Sequence, residues 1–558
     1  MTDVNEFLEP TAASLNDFQL FDNIPRGIRM LHTVLSTPDS RILIVVDCDV
    51  DGFTSGAVMY RYITQLHPEQ QLDYVLHEHK QHGLEDHIEW LQTEAPHYDL
   101  IILPDSSSND FIYHEELRLM GTQCLVLDHH EVDFGQKMSD NACIINNQLS
   151  ELYPNKELTG AGVTWQFCRA YDDWLSSEEI KVDVASKLID LAALGICGDM
   201  GSILNLENRY IMYAGFKTIR NYFFQKAIEK QSYSMGGDIT PISVAFYIVP
   251  MINALVRIGS MEEKNRLFMA LIDGHQRVPC NKRGAKGTTE EVAVESLREC
   301  TNAKSRQNRI ADEMMERADI KIHKYDLLRN KILFVRLDDD DDYPPEIVGL
   351  CAMKLAAKYK KPTIITRLNE DGIDKGSIRN VADCALTDFK AFLNNSGYFE
   401  WVQGHANAAG CAIEDSRLYG FHEYANEALA DIDFGEGVYK VDFIMGPNDE
   451  LQSLIYNLAG ITNIWGQGNP EPLIYVHDLM PQDDEIAVIG ANKDTLRITK
   501  NDVVYIQFHA TETIEQLRNC NCPRINIVGK PNLNNWGGRV TEQLIIESCE
   551  IIDDLLEF

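Results

Sequence analysis

The chain has 558 residues, with 50 Lys plus Arg against 86 Asp plus Glu and a formal net charge of −36 at pH 7. This length predicts about three or four domains with ample cores, and the absence of an apolar run approaching membrane-spanning length excludes a membrane partner. The acidic excess opposes non-specific nucleic-acid binding, which depends on neutralising phosphates, so any such path must be a local basic groove or be assisted by bound metal.

The N-terminus, from Met1 to Phe7, is acidic and has no signal-peptide pattern. Thirteen cysteines without a regular framework point to reduced thiols in a cytoplasmic protein. Cys520 and Cys522 form the only close pair and read as incidental thiols.

The first strong signal is residues 41–52. The β-branched run Ile42 to Val46 predicts a strand buried on both faces, and it ends in Asp47, Asp49 and Asp51 followed by Gly52. Gly52 permits a tight turn, after which Thr54 or Ser55 can cap a helix to about Leu66. Three carboxylates at one strand end repel each other, and bound divalent cations would resolve that conflict. A polar turn with solvated aspartates is the competing reading. A strand near 72–76 follows. Asp99 to Asp105 is another buried strand ending in an acid, with Ser106, Ser107 and Ser108 as helix caps. Cys124 to Asp128 is a further strand, ending in Asp128-His129-His130, and 143–145 makes a fifth. Gly160 opens a helix, and the helical stretch from Asp190 ends in Asp199. In open α/β sheets ligands lie beyond the carboxyl ends of the strands, so successive strand ends delivering acids and imidazoles favour the metal reading.

DCDVDG, LPDSS, DHH and ALGICGD together resemble the four motifs of the DHH phosphoesterases, and most of all those of RecJ-type single-stranded-DNA exonucleases. The resemblance implies that Asp49, Asp51, Asp105, His129 and Asp199 are metal ligands. Four carboxylates and one imidazole suit Mn²⁺ or Mg²⁺, and a carboxylate such as Asp105 can bridge two ions about 3.5–4 Å apart. Adjacent residues on an extended chain point to opposite sides, which assigns His129 to metal and His130, with Asp128, to catalysis at the phosphate or leaving group; a core role is the alternative for His130. Related sites add an upstream histidine to one metal. None aligns here, because His32 lies in a helical pattern and reads as surface, so that ion would be weakly held or be completed by Asp47 or water. Glu207-Asn208-Arg209 also matches the family, with local pairing to an acid as the other reading of Arg209.

Residues 1–225 thus read as the DHH metal-binding catalytic domain, and 226–330 as a helical region with a long connecting helix. In the second stretch Asn253 and Arg257 stand where the family approaches its substrate strand, although Val256 replaces an expected glycine. Arg277, Lys282, Arg283 and Lys286 form a basic loop, a candidate phosphate contact or a solvated surface. Thr288 and Glu291 have capping-box spacing before a long amphipathic pattern through Leu297, Cys300, Ile310, Met314 and Ala318.

Residues 331–435 read as a second α/β domain of DHHA1 type, beginning at Ile332, with Asp338 to Asp342 as a solvated loop. Lys375 to Arg379 and Gly404 to Gly410 resemble its substrate motifs, with Asn380 and Gln403 as departures. They make Ser377, Arg379, Gly404 and His405 substrate-binding candidates. In residues 436–558, Trp465 to Leu473 is similar to a RecJ-type loop leading into an OB-like nucleic-acid-binding barrel, and the runs at 485–489, 495–498, 503–508, 525–528 and 543–546 suit a small antiparallel barrel. Tyr505, Phe508 and Trp536 are candidates for base stacking or for the barrel core.

The resemblance implies a metal-dependent exonuclease that hydrolyses single-stranded DNA from 5′ to 3′ with two Mn²⁺ or Mg²⁺ ions. Expected partners are single-stranded DNA and single-strand-binding or other replication and repair proteins. The alternatives are a DHH phosphodiesterase acting on short oligonucleotides or cyclic dinucleotides, a catalytically silent replication scaffold and, fitting worst, a pyrophosphatase.

Overall fold

Residues 42 to 46 are fully buried because they lie second in a five-stranded sheet with neighbours on both sides. Its strands are β1 (Arg41–Val46), β2 (Gln71–Leu76), β3 (Leu100–Pro104), β4 (Gln123–Asp128) and β5 (Ala142–Asn146). All pair in parallel, in the order β2-β1-β3-β4-β5. The chain moves outward from β1 to β2 and then returns past β1 to β3. That reversal opens a crevice beyond the carboxyl ends of β1 and β3, the place where such sheets bind ligands.

The computed structural model describes every residue except 1–3, 80, 133–134, 286, 339–342, 382–383, 435–438, 447–448, 521–522, 537–538 and 554–558. Lys286, Asp339 to Asp342, Cys522 and the side chain of Trp536 therefore lie outside the described residues. Two units are distinguished. One holds 1–253, 261–297 and 439–558, and the other holds 254–260 and 298–438. The helical stretch 226–330 is thus divided between the two and is not a body of its own.

Several helices start elsewhere than their sequence signals suggest. The helix after β1 is Val50–Leu66, and its cap is Asp49, whose carboxylate accepts from the Gly52 amide at 3.0 Å. Thr54 is already inside that helix and donates back to Val50 O at 2.9 Å. The helix after β3 is Phe111–Leu119 and starts behind Asp110, to which Ser107 donates at 2.7 Å, so none of the three serines is its cap. Thr288 and Glu291 form no capping box. Strand β7 (Thr289–Glu291) pairs with β6 (Arg277–Pro279), and Thr288 donates to Ala285 O. Strand pairing satisfies the backbone there, and the 33-residue helix Val292–Lys324 begins only afterwards.

One 18-residue stretch, Pro241–Ile258, reaches a mean hydropathy of 1.6 and is long and apolar enough to cross a membrane by length and composition. A mostly buried core helix passes the same test. The stretch comprises two helices, Pro241–Tyr247 and Val249–Ile258, and 56% of it is buried.

In the second unit, β8 (Leu333–Leu337) pairs in parallel with β9 (Thr363–Leu368), and the other pairs are antiparallel. With β10 (Ile373–Arg379), β11 (Phe399–His405) and β12 (Ala408–Glu414) the order is β11-β12-β10-β9-β8.

The C-terminal sheet has seven strands: β13 (Phe443–Met445), β14 (Ile474–Leu479), β15 (Ile486–Ile489), β16 (Thr495–Lys500), β17 (Val503–Gln507), β18 (Pro523–Trp536) and β19 (Arg539–Asp553). It is mixed, not purely antiparallel, because β13 runs parallel to β14 and β17 parallel to β19.

Candidate metal centre

The strand ends of the first sheet converge on one cluster. His129 Nε2 lies 3.1 Å from Asp105 Oδ1, 3.7 Å from Asp199 Oδ2 and 3.9 Å from Asp51 Oδ2. Asp47, Asp49 and Asp105 also bring one carboxylate oxygen each within 4.8 Å of the others. Asp47, Asp51 and Asp105 are each 1% exposed, so most of this charge is held away from water.

Helix ends and glycines make the crowding possible. Asp51 accepts from Thr159 Oγ1 at 2.9 Å and from the amides of Gly160 at 2.7 Å and Ala161 at 3.0 Å, the positive end of helix Gly160–Ser177. A Cβ at Gly160 would stand 2.3 Å from Asp105 Oδ1, and one at Gly195 would stand 2.5 Å from Asp51 Oδ1. Those helices can carry only hydrogen where they meet the carboxylates. Asp105 itself has a left-handed backbone, φ 73°, which turns its side chain back into the cluster.

The electrostatics call for cations. Burial and the charges of Asp199 and Asp49 push the Asp51 carboxyl up to about 8. Burial and Asp49 push Asp199 up to about 7, and burial with four neighbouring aspartates raises Asp105 well above the usual range. The buried Oδ1 atoms of Asp47 and Asp105 accept no hydrogen bond among the described residues. Hard oxygen donors, one imidazole and unsatisfied buried lone pairs fit Mn²⁺ or Mg²⁺.

Asp128 stands apart in role. Its carboxylate accepts from the amides of Ser108, His129 and His130, and its Oδ1 is 2.8 Å from His130 Nδ1. Burial would raise it, but the His130 bond and the two imidazoles outweigh that and hold it below the usual carboxylate range. Burial likewise depresses the His130 ring, yet the bond to Asp128 lifts it to about 9. The histidines do not diverge as an extended chain would require. Strand β4 ends at Asp128, and the two rings lie 4.5 Å apart, each with one nitrogen near Asp105.

His32 is not at the cluster. It contacts Tyr171 OH at 3.0 Å and packs edge-on against Trp174. Arg209 is 1% exposed and donates to the carbonyls of Phe7, Asn463 and Leu8, so among the described residues it pairs with backbone and not with an acid. The residue missed from sequence is His82, whose Nδ1 lies 2.7 Å from Asp47 Oδ2. Hydrogen bonds to Asp47 and Cys48 raise its ring to about 11. His82 comes from the loop after β2, where only an unusual density of histidines (His77, His79, His82 and His87) could have drawn attention.

In the second unit, Arg379 and His405 are both register partners of Ala408 on β12, so they project to the same face of the sheet, and Ser377 joins them two residues along β10. Gly404, just before His405, takes φ 128°, and a Cβ there would stand 2.9 Å from Ala409 Cα. Gly349 makes room for Arg379, since a Cβ there would stand 2.5 Å from its Nη2. Burial, with the like charge of Arg257 beside it, lowers Arg379 from its ordinary value, so these two arginines are electrostatic neighbours. In the first unit, Asn253 is partly buried, with a side-chain oxygen that accepts no hydrogen bond among the described residues.

Residues 41–196 match the DHH family, N-terminal domain, and 442–548 match the RecJ OB domain. A putative SPbeta prophage-derived single-strand DNA-specific exonuclease, YorK of Bacillus subtilis, is 34% identical over 554 residues, covering 98% of this chain and 93% of the relative. The single-stranded-DNA-specific exonuclease RecJ of Bacillus subtilis is 26% identical, over 92% of this chain and 61% of its own length. The crystal structure of RecJ with Mn²⁺ from Thermus thermophilus shares the fold, with a TM-score of 0.74 and 19% identity over 98% of this chain and 74% of that one. The complex of the same protein with Mg²⁺ gives a TM-score of 0.66 at 18% identity, over 98% and 72%.

Proposed function

The chain belongs to the RecJ-type branch of the DHH family, and from that premise we propose that it hydrolyses single-stranded DNA from the 5′ end with two Mn²⁺ or Mg²⁺ ions. The observation that carries the reading is the convergence of Asp51, Asp105, His129 and Asp199 on one buried cluster whose charge demands cations. Asp49, Asp51, Asp105, His129 and Asp199 would hold the ions, which supply polarisation of water and stabilisation of a leaving oxygen. Asp128 fixes the His130 ring through Nδ1, so that its other nitrogen is free to reach a phosphate or leaving oxygen. Ser377, Arg379, Gly404 and His405 make a face suited to a terminal 5′-phosphate, with Asn253 and Arg257 contacting the strand. Single-strand-binding or other replication and repair proteins are the partners that accompany such an activity. A reducing cytoplasmic setting agrees with the buried thiols of Cys48, Cys124, Cys143, Cys168 and Cys197.

The test is incubation with Mn²⁺ and end-labelled single strands, duplexes and cyclic dinucleotides. Single strands should be digested from the 5′ end, the others spared, and chelator should stop the reaction. Preferential cleavage of cyclic dinucleotides would favour the small-molecule phosphodiesterase, and no hydrolysis of any substrate would favour the scaffold.

A further inference from the structure

Beside the carboxylate cluster lies a donor set of different chemistry. Asp47 ends β1, Cys48 follows it, and His82 arrives from the loop after the neighbouring strand β2. His82 Nδ1 is 2.7 Å from Asp47 Oδ2 and 4.0 Å from Cys48 Sγ, and one donor atom from each residue lies within 4.8 Å of the others. Asp47 and Cys48 are 1% and 5% exposed, whereas the His82 side chain is 48% exposed, so the set is walled on one side and open to solvent on the other. The loop is fixed in place. Gly83, φ 74°, packs so closely that a Cβ would stand 2.3 Å from Asp110 Oδ2, which also accepts from the Leu84 amide at 3.0 Å.

We propose that Asp47, Cys48 and His82 form a second, distinct cation site that takes a borderline-soft divalent ion such as Zn²⁺ or Co²⁺. A carboxylate, a thiolate and an imidazole around one ion, with a fourth position left to water, is a donor set that Zn²⁺ accepts and Mg²⁺ does not. Ligands at about 2.0–2.3 Å from a tetrahedral ion lie roughly 3.3–3.8 Å from each other, so shifts of about 1 Å or less seat the ion. Asp47 Oδ1, buried and without a hydrogen bond among the described residues, is a spare donor atom at the wall between the two sites. Binding displaces the thiol proton and the Nδ1 proton to solvent, and the open side at His82 gives them a route. The site shares Asp47 with the carboxylate cluster but uses neither Asp199 nor His129, so its thiolate signal is separable from the exonuclease reading.

The experiment is a Co²⁺ titration of the metal-stripped full-length protein, followed by the near-ultraviolet thiolate-to-cobalt absorption. One equivalent should develop the band, Zn²⁺ should displace it, and excess Mg²⁺ should not. Cys48→Ser should abolish it. His82→Ala, on a solvent-facing loop and so the safer variant for folding, should weaken Co²⁺ binding by about tenfold or more. Asp199→Asn should leave the band in place. The proposal is overturned if no band forms, if the band survives Cys48→Ser, if His82→Ala leaves the affinity unchanged, or if Asp199→Asn removes it. In each case Asp47 and His82 would be an ion pair only.

Discussion

Asp105 shows how one residue can be costly to the fold and central to the chemistry. It is a buried carboxylate in a left-handed backbone conformation, set among other acids, with a lone pair that accepts no hydrogen bond among the described residues. Asp105→Asn keeps the shape and removes the charge. Turnover should fall by about 10²-fold or more and Mn²⁺ affinity should drop with it, while thermal stability in chelator should rise. A variant with normal turnover and an intact circular dichroism spectrum would refute the assignment. The wild-type cluster also implies a pH dependence. Asp51 and Asp199 titrate near 8 and 7 in the folded chain against 3.8 in its absence, so the folded state binds more protons in between. The unfolding free energy of the chelated protein should therefore decline as pH rises from about 4 through 8, and Mn²⁺ should flatten that slope, as thermal melts across the range would record. The acids of this cluster were legible because each ends a buried apolar run or helix. His82 was not, since its partner Asp47 is 35 positions away and no local period links a loop residue to a neighbouring strand end.

At the scale of elements, the five parallel strands could be read because burial on both faces leaves unbroken apolar runs. Helix starts could not, because Asp49 caps its helix in place of the hydroxyl residues nearby, while Ser107 donates to Asp110 and caps nothing. The hairpin β18–β19 was read as two four-residue strands, although its arms have 14 and 15 residues. Gly529, Pro531 and the asparagines after them look like turn residues, but a register shift between Val528 and Gly529 absorbs the break and the pairing continues to Trp536. The motifs on β10 and β11 were found as glycine clusters. What the sequence could not show is that register places Arg379 and His405 on the same face, with Arg257 as a charged neighbour of Arg379. Like charges on Arg257 and Arg379 that oppose each other suit a phosphate. Arg379→Ala should slow digestion of 5′-phosphorylated strands about tenfold more than that of 5′-hydroxyl strands, with Mn²⁺ affinity intact. An unchanged ratio of the two rates, or products released from the 3′ end, would rule out this face as the pocket for the strand end.

For the whole molecule, the acidic balance had argued against nucleic acid, yet it is the C-terminal sheet, matching the RecJ OB domain, that would carry a long strand. Removing residues 439–558 is a poor way to test that, because they are built into the first unit. Arg209 donates to Asn463 O at 2.6 Å, and the Ile203 amide donates to Gln467 O at 2.9 Å. Deleting those acceptors removes hydrogen bonds worth about 1 kcal/mol each that tie residues 439–558 into the first unit, so lost activity would report lost stability. A surface substitution separates the two effects. Tyr505 is 2% exposed and belongs to the core of this sheet, whereas Phe508, three residues later, is 58% exposed and is not a member of that core. An aromatic left in solvent beside a strand end suits a base, and stacking contributes about 1–3 kcal/mol per base, roughly 5- to 150-fold in affinity. Phe508→Ala should therefore weaken binding of strands long enough to reach the C-terminal sheet by at least about fivefold. The melting temperature and the cleavage rate of the shortest digestible strands should stay at wild-type values. Equal losses on long and short strands, or a lower melting temperature, would show that Phe508 supports the fold and that the strand takes another path.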